Sequence, residues 1–256
     1  MNPFDLREKV AIVTGGNGGI GLGIARGLAE AGASVVVAGR NREKTDAAVR
    51  GLNEVRSDAA IGLDVDVTDE AQVAEMVVRT RERFGRLDIL VNNAGIGIRK
   101  RPEEYSLEEY RKVVDTNLTA VFVCCQAAYP ELKRTGAGKI VNIGSMASLF
   151  GHTFALPYAA SKGGVVQLTK SLAIAWAPDN IQANCILPGW IESDMTRAAR
   201  SYIPDLFDRV LARTPAGRWG EPADLAGTAV FLASPASDFV TGVSIPVDGG
   251  YAVQMP

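Results

Sequence analysis

At 256 residues, 47% of them apolar, the chain is long enough to bury one large core and sits near the upper size of a single α/β domain. Its 27 basic and 29 acidic side chains nearly cancel, leaving too little field to hold a nucleic-acid backbone or an anionic membrane surface. The opening MNPFDLREKVAIVTGG enters a strand pattern without the apolar core of a signal peptide, and no apolar run approaches membrane-spanning length, so a soluble, cytoplasmic protein is expected.

Along the chain, short β-branched runs alternate with longer helical patterns. KVAIVT, SVVVAG, AIGLDV, LDILVNNAG, GKIVNIGS, IQANCILPG and VSIPVDGG read as strands; 19–31, 42–55, 69–84, 106–134, 158–177 and 222–233 read as amphipathic helices. Strands apolar on both faces and separated by helices predict a doubly wound parallel sheet of the Rossmann type, helices on both faces, in one domain spanning 1–256. Residues 190–220 form the one long irregular or weakly helical insertion and are expected to act as a lid over a substrate. Cys124, Cys125 and Cys185 have neither metal-ligand nor disulfide spacing and read as buried small hydrophobes; no metal is expected.

The first predicted strand runs into VTGGNGGIGLG at a predicted helix start. Unpaired helix N–H groups and the positive end of the helix dipole attract a phosphate there. In this spacing Gly15 makes the turn, Gly19 lets an anion approach the backbone and Gly21 lets helix and sheet pack closely. A dinucleotide also needs its adenosine ribose recognised at the end of the second strand. That position reads AGRNREK, without the Asp or Glu that would bind both ribose hydroxyls and repel a 2′-phosphate. Gly39 leaves room and Arg40, with Arg42 nearby, can pair with the phosphate, so NADP(H) is favoured over NAD(H); alternatively both arginines are merely solvated.

Tyr158 and Lys162 lie four apart and share one helix face, where an ammonium near a phenol lowers its pKa toward a value useful in acid–base chemistry. Ser145, thirteen residues before Tyr158, ends a strand and can point into the crevice at the carboxyl edge of the sheet.

With these residues in order, the chain resembles the short-chain dehydrogenase/reductase family from end to end. The likeness rests on TGGNGGIG, Asp66-Val67, NNAG at 92–95, Asn117 in DTNL, Ser145, YAASK at 158–162, PGWIES at 188–193 and VDGG at 247–250. It implies a catalytic tetrad of Asn117, Ser145, Tyr158 and Lys162. Tyr158 exchanges a proton with the substrate oxygen as hydride moves to or from a nicotinamide, and Ser145 holds that oxygen. Lys162 bonds the nicotinamide ribose, and Asn117 positions a water, unless it is only a helix-bending or buried structural residue. The resemblance further implies Asp66 and Val67 beside adenine, Asn92, Ala94 and Gly95 along the cofactor, Asn17 and Ile20 in the glycine turn, and Pro188, Gly189, Ile191 and Ser193 around the nicotinamide. The family often has Thr where Ser193 stands; the hydroxyl is kept.

For the substrate, a small ketone or secondary alcohol, Arg99, Lys100 and Arg101 follow the fourth strand on the crevice side, where cations can take a carboxylate. The pattern is similar to members acting on sugar acids, such as gluconate 5-dehydrogenases and deoxygluconate dehydrogenases; a 3-oxoacyl thioester, a steroid or a simple sugar are the alternatives. Arg99, Arg101, His152 and Trp190, with Phe154 and Met195, are candidate pocket residues. The competing class is a catalytically idle dinucleotide-binding sensor or structural subunit, against which the joint presence of the tetrad argues. A homotetramer is what the resemblance implies, in keeping with the small residues at the start of the helix at 158–177 and the surplus apolar residues of 106–134.

Overall fold

Seven strands build one sheet: β1 Val10–Thr14, β2 Ser34–Gly39, β3 Ala60–Asp64, β4 Ile89–Asn92, β5 Gly138–Ile143, β6 Ile181–Pro188 and β7 Ser244–Val247. The computed structural model describes residues 2–254 and, within helices and strands, all side chains except those of Met195, Ser201 and Tyr202; the pocket role expected of Met195 falls outside the described residues. The strand order is β3-β2-β1-β4-β5-β6-β7, and every neighbouring pair is parallel. This is the doubly wound arrangement that the alternation of runs predicts.

Each central strand feeds two cores. In β1, Ala11 and Val13 belong to one buried cluster and Ile12 to the other; in β2, Val35 and Val37 oppose Val36 and Ala38 in the same way. Helices α1 Gly19–Glu30, α2 Arg42–Val55 and α9 Ala226–Ala233 cover the first face, and α3 Glu70–Phe84, α5 Ala120–Thr135 and α6 Leu156–Trp176 the second. The three cysteines are free and buried. Because the chain leaves β1 toward β2 on one side and returns to β4 on the other, a crevice opens over the carboxyl ends of β1 and β4.

Two stretches differ from their sequence pattern. The single helix expected at 106–134 is α4 Leu107–Val114, a π-helical turn at Asp115–Thr119, and then α5. In that wide turn the N–H of Ala120 reaches back to the Asp115 carbonyl. The insertion at 190–220 is more ordered than expected. It folds as α7 Asp194–Tyr202 and α8 Leu206–Ala212 around its own small core of Ala199, Leu206, Val210 and Trp219. Pro204 splits the apolar stripe between the two helices, which is why the segment reads as weakly helical.

Candidate active site

At the end of β1 the chain turns through Gly15 (φ +62°) and Gly19 (φ +49°), both in the left-handed region that glycine adopts without strain. Gly18, the N-cap of α1, makes no side-chain cap, and a Cβ added to it would meet nothing within 4 Å, so the first-turn N–H groups border open space. Gly21 does not line that space; a Cβ there would collide with the Gly15 carbonyl and the Asn93 amide, so it serves close packing. The crevice, about 490 Å³, is also lined by Ile20, Asn17, Arg40, Asp66, Val67, Ala94 and Gly95 on one flank and Pro188, Gly189, Ile191 and Ser193 on the other. Its open glycine cradle at a helix N-terminus suits a pyrophosphate.

Several expected contacts are rearranged. The room above Gly39 is filled by Asn17, whose amide donates to Thr45 Oγ1 at 3.0 Å and to the Asn41 carbonyl at 3.4 Å. Arg40 lines the crevice with its Nη1 3.5 Å from Asp66 Oδ2, whereas Arg42 faces Asp46 on the surface at 3.9 Å and stays outside it. Hydrogen bonds from Thr68, more than the nearby Arg40 charge, hold the Asp66 carboxyl below its usual value. Asn92 is not a crevice residue. As the last residue of β4 it is buried and donates to Asn142 Oδ1 at 2.9 Å and to Cys125 Sγ at 3.2 Å. The next residue, Asn93, lines the crevice instead and ties β4 to the glycine turn through the Thr14 and Gly15 carbonyls at 3.0 and 3.1 Å. Lys44, not anticipated from sequence, lines the mouth, where its Nζ reaches Asp194 Oδ2 at 3.0 Å and bridges α2 to α7.

Ser145 follows β5 and caps a short 3₁₀ turn, its Oγ accepting from the Ala147 N–H at 3.1 Å, which leaves the hydroxyl hydrogen free to donate elsewhere. Tyr158 and Lys162 sit one turn apart near the start of α6. Burial pushes the Tyr158 phenol above its ordinary value; the Ser145 hydroxyl beside it and the Arg99 charge pull it back. The sequence expectation assigned that lowering to Lys162. In the structure, Lys162 Nζ donates to the Ile143 carbonyl at 2.7 Å and lies 5.8 Å from the Tyr158 ring centroid, and its own pKa is depressed to about 8 by burial. Asn117, in the π turn, is fully buried: its Oδ1 accepts from the Ile96 N–H at 2.8 Å, and its Nδ2 donates to the Ile96 carbonyl at 2.9 Å and to Ser161 Oγ at 3.2 Å. A Cβ on Gly95 would lie 3.2 Å from Asn117 Oδ1 and 3.7 Å from Lys162 Nζ, so the two side chains converge beneath that glycine.

A second cavity of about 190 Å³ adjoins the crevice, and Ser145, Tyr158, Pro188, Gly189 and Thr196 line both. Arg99, His152 and Trp190 line the second cavity, as expected; Arg101 does not, because it turns outward to Glu103 at 2.7 Å. Lys100 is likewise taken by Glu109 at 2.6 Å. Arg99 Nη1 is buried without a hydrogen-bond partner, and burial lowers the guanidinium pKa. Tyr105 Oη donates to the Ile98 carbonyl at 2.6 Å and to the Phe154 carbonyl at 3.2 Å, pinning the Arg99 loop against the His152 loop. Burial, and secondarily the Arg99 charge, lowers the His152 pKa, so this imidazole is neutral near pH 7. Arg213 and Tyr251, from remote parts of the chain, complete the wall and carry no local sequence signal.

Comparison with known proteins agrees with this architecture. The family model described as enoyl-(acyl carrier protein) reductase matches residues 15–252, and the chain belongs to the short-chain dehydrogenase/reductase family of NAD(P)-dependent oxidoreductases. It is 44% identical to a 3α-hydroxysteroid dehydrogenase of Mediterraneibacter gnavus, over 95% of this chain and 97% of that one. It is 42% identical to a gluconate 5-dehydrogenase of Gluconobacter oxydans, over 98% of each chain. A crystal structure of a gluconate 5-dehydrogenase from Burkholderia cenocepacia, in complex with NADP and tartrate, superposes with a TM-score of 0.93 at 41% identity, covering 99% of each chain.

Proposed function

We propose that this oxidoreductase interconverts a ketone and a secondary alcohol on a sugar acid, with NADP(H) as the preferred cofactor. The observation that carries the reading is the junction at Ser145 and Tyr158 between a glycine-cradled crevice and a pocket whose guanidinium groups lack acidic partners among the described residues. Each guanidinium is half-buried with one nitrogen fully buried and unpartnered, and a carboxylate ligand supplies the missing counter-charge. The gluconate-acting relatives and the NADP in the Burkholderia complex support both choices.

When bound in the crevice, the nicotinamide supplies or accepts the hydride. Arg40 would take the 2′-phosphate, and the first turn of α1 the pyrophosphate. Tyr158, whose burial keeps it protonated near neutral pH, donates its proton to the substrate oxygen in reduction and takes it back in oxidation. Ser145 donates its free hydroxyl hydrogen to the same oxygen, stabilising charge that develops there. Lys162 holds positive charge beneath the phenol, and Asn117 fixes the Ile96 backbone next to Gly95, a positioning role. The α7–α8 segment acts as a lid over the substrate, and exposed Phe122 of α5 and Ile174 of α6 offer apolar surface for assembly into a tetramer.

The test is a substrate panel assayed by nicotinamide absorbance with both cofactors: gluconate and its 5-keto form, a neutral ketohexose, and a 3-ketosteroid. Efficiency with the keto acid should exceed that with the neutral ketohexose by about tenfold or more, as expected for a hydrogen bond to a charged group. Equal or better turnover of the neutral sugar or the steroid overturns the sugar-acid reading, and no turnover of anything despite cofactor binding overturns the enzyme.

A further inference from the structure

The two pocket arginines stand in different surroundings. Arg99 belongs to the loop after β4 and lies close enough to Tyr158 for its charge to act on the phenol. Arg213 ends α8, and its guanidinium carbon lies 4.4 Å from the centroid of the Tyr251 ring and 5.2 Å from that of Phe150. Tyr251 is held there by a local turn: the Asp248 carboxylate accepts from the Gly250 N–H at 2.9 Å and the Ala252 N–H at 2.7 Å, and Gly249 and Gly250 adopt φ of +63° and +88°. The Arg213 guanidinium makes no hydrogen bond or ion pair among the described residues, and its Nε is buried without a partner.

The same segment contains a control. Arg200 is stacked in the same manner, its guanidinium carbon 3.9 Å from the Trp219 centroid and 4.8 Å from that of Phe207, but it is also paired with Glu192. Arg197 has Asp194 and Arg218 has Asp224. Arg213 therefore has the aromatic support of a structural arginine and lacks the acid. Rings on a guanidinium face fix its plane while leaving its edge open to a two-oxygen ligand.

We propose that Arg213 is the specificity-determining cation of this pocket: it receives the substrate carboxylate through its open edge, while Arg99 serves the reacting end beside Tyr158. The assignment rests on the sugar-acid reading and deepens it, since it places the acid group at the α8 wall, away from the phenol. The C-terminal turn that carries Tyr251 is then part of substrate recognition.

The experiment compares the full-length enzyme with Arg213→Gln, Arg213→Lys and Tyr251→Leu variants, using NADPH with 5-ketogluconate and a neutral six-carbon ketose. Arg213→Gln should lower the acid-to-neutral ratio of kcat/KM by about 10- to 100-fold, chiefly through KM for the acid, as loss of a hydrogen bond to a charged group requires. Arg213→Lys should restore part of the ratio, because charge returns without the planar fork. Tyr251→Leu should lower it less than Arg213→Gln. If the unsubstituted enzyme shows no preference for the acid, the parent reading fails. If it prefers the acid and Arg213→Gln and Arg213→Lys both keep the ratio within about twofold, only the Arg213 assignment fails. A fall in kcat alone, equal for both substrates, also overturns it.

Discussion

The sheet-centred body and the α7–α8 segment are built to different standards of closure. The body buries two large clusters against both faces of seven strands, and most of its buried polar groups are partnered: Asn142, for example, joins Asn92 to Thr169 Oγ1 at 2.9 Å each. The α7–α8 segment has four residues in its buried core. Of the seven residues with an unpartnered buried side-chain atom among those described, Arg200, Arg213 and Trp219 lie in it. The difference separates chemistry from selection. The reacting groups and the glycine cradle are mounted on the body, and the wall proposed here to select the substrate acid is mounted on the segment with the smaller core.

The strongest way to break that division is at the body's phenol. Tyr158→Phe should reduce turnover by about a thousandfold or more while cofactor affinity stays within twofold, since it removes the transferable proton and little surface; near-normal turnover measured alongside cofactor titration would sink the acid–base role. In packing, Ile140→Ala in β5 should lower global unfolding free energy by roughly 2–5 kcal/mol. Trp219→Ala should instead act locally, speeding amide exchange across α7 and α8 by about tenfold or more while β4 to β6 exchange as before. Equal effects on both regions in a hydrogen-exchange experiment would dissolve the distinction. Arg40→Asp should swing the ratio of efficiencies from NADP(H) toward NAD(H) by roughly a hundredfold. Lys44, also on the crevice wall, should blunt the change; a ratio unmoved within about twofold would leave Arg40 a solvated residue.

The smallest effect concerns pH. Lys162 in the cofactor-free protein has its pKa depressed from 10.5 to about 8. Between those values the unfolded chain holds a proton that the native state lacks, so stability from this group rises as pH climbs through about 8 and is lost below it. Relative to Lys162→Met, the unsubstituted protein should gain about 1–2 kcal/mol between pH 8 and 9.5 in denaturant unfolding. Parallel profiles for the two proteins would show that Lys162 is not buried as a cation.

The sheet was legible because strand composition and spacing act locally: each apolar run could be paired with a turn and a helix before any tertiary contact was known. The glycine turn, Ser145, Tyr158 and Lys162 were legible for the same reason, being short-range spacings next to strand ends. What escaped depended on distance or on a single residue's register. Asn92 and Asn93 look equivalent in sequence, yet strand pleating sends the first into the core and the second to the crevice. Arg101 sits in the same basic run as Arg99 but has Glu103 two residues on, a local acid that neutralises it. Arg213 and Tyr251, thirty-eight residues apart in sequence, meet only after folding. Helical spacing shows Lys162 near the phenol but not the Ile143 carbonyl that takes its ammonium.

The wide turn at Asp115–Thr119 also constrains how this chain can vary in length. A π turn holds about one more residue than an α turn within the same full rotation. Removing one residue from DTNLT would close the turn to ordinary helix with α4 and α5 still in phase, so Val113 and the buried stripe of Val121, Cys124 and Cys125 would keep their faces and the loss would fall on Asn117, which the widened turn presents to the Ile96 backbone. The stretch therefore joins the two helices without fixing their phase: a single deletion there spares the packing of α4 and α5 and costs the hold of Asn117 on Ile96.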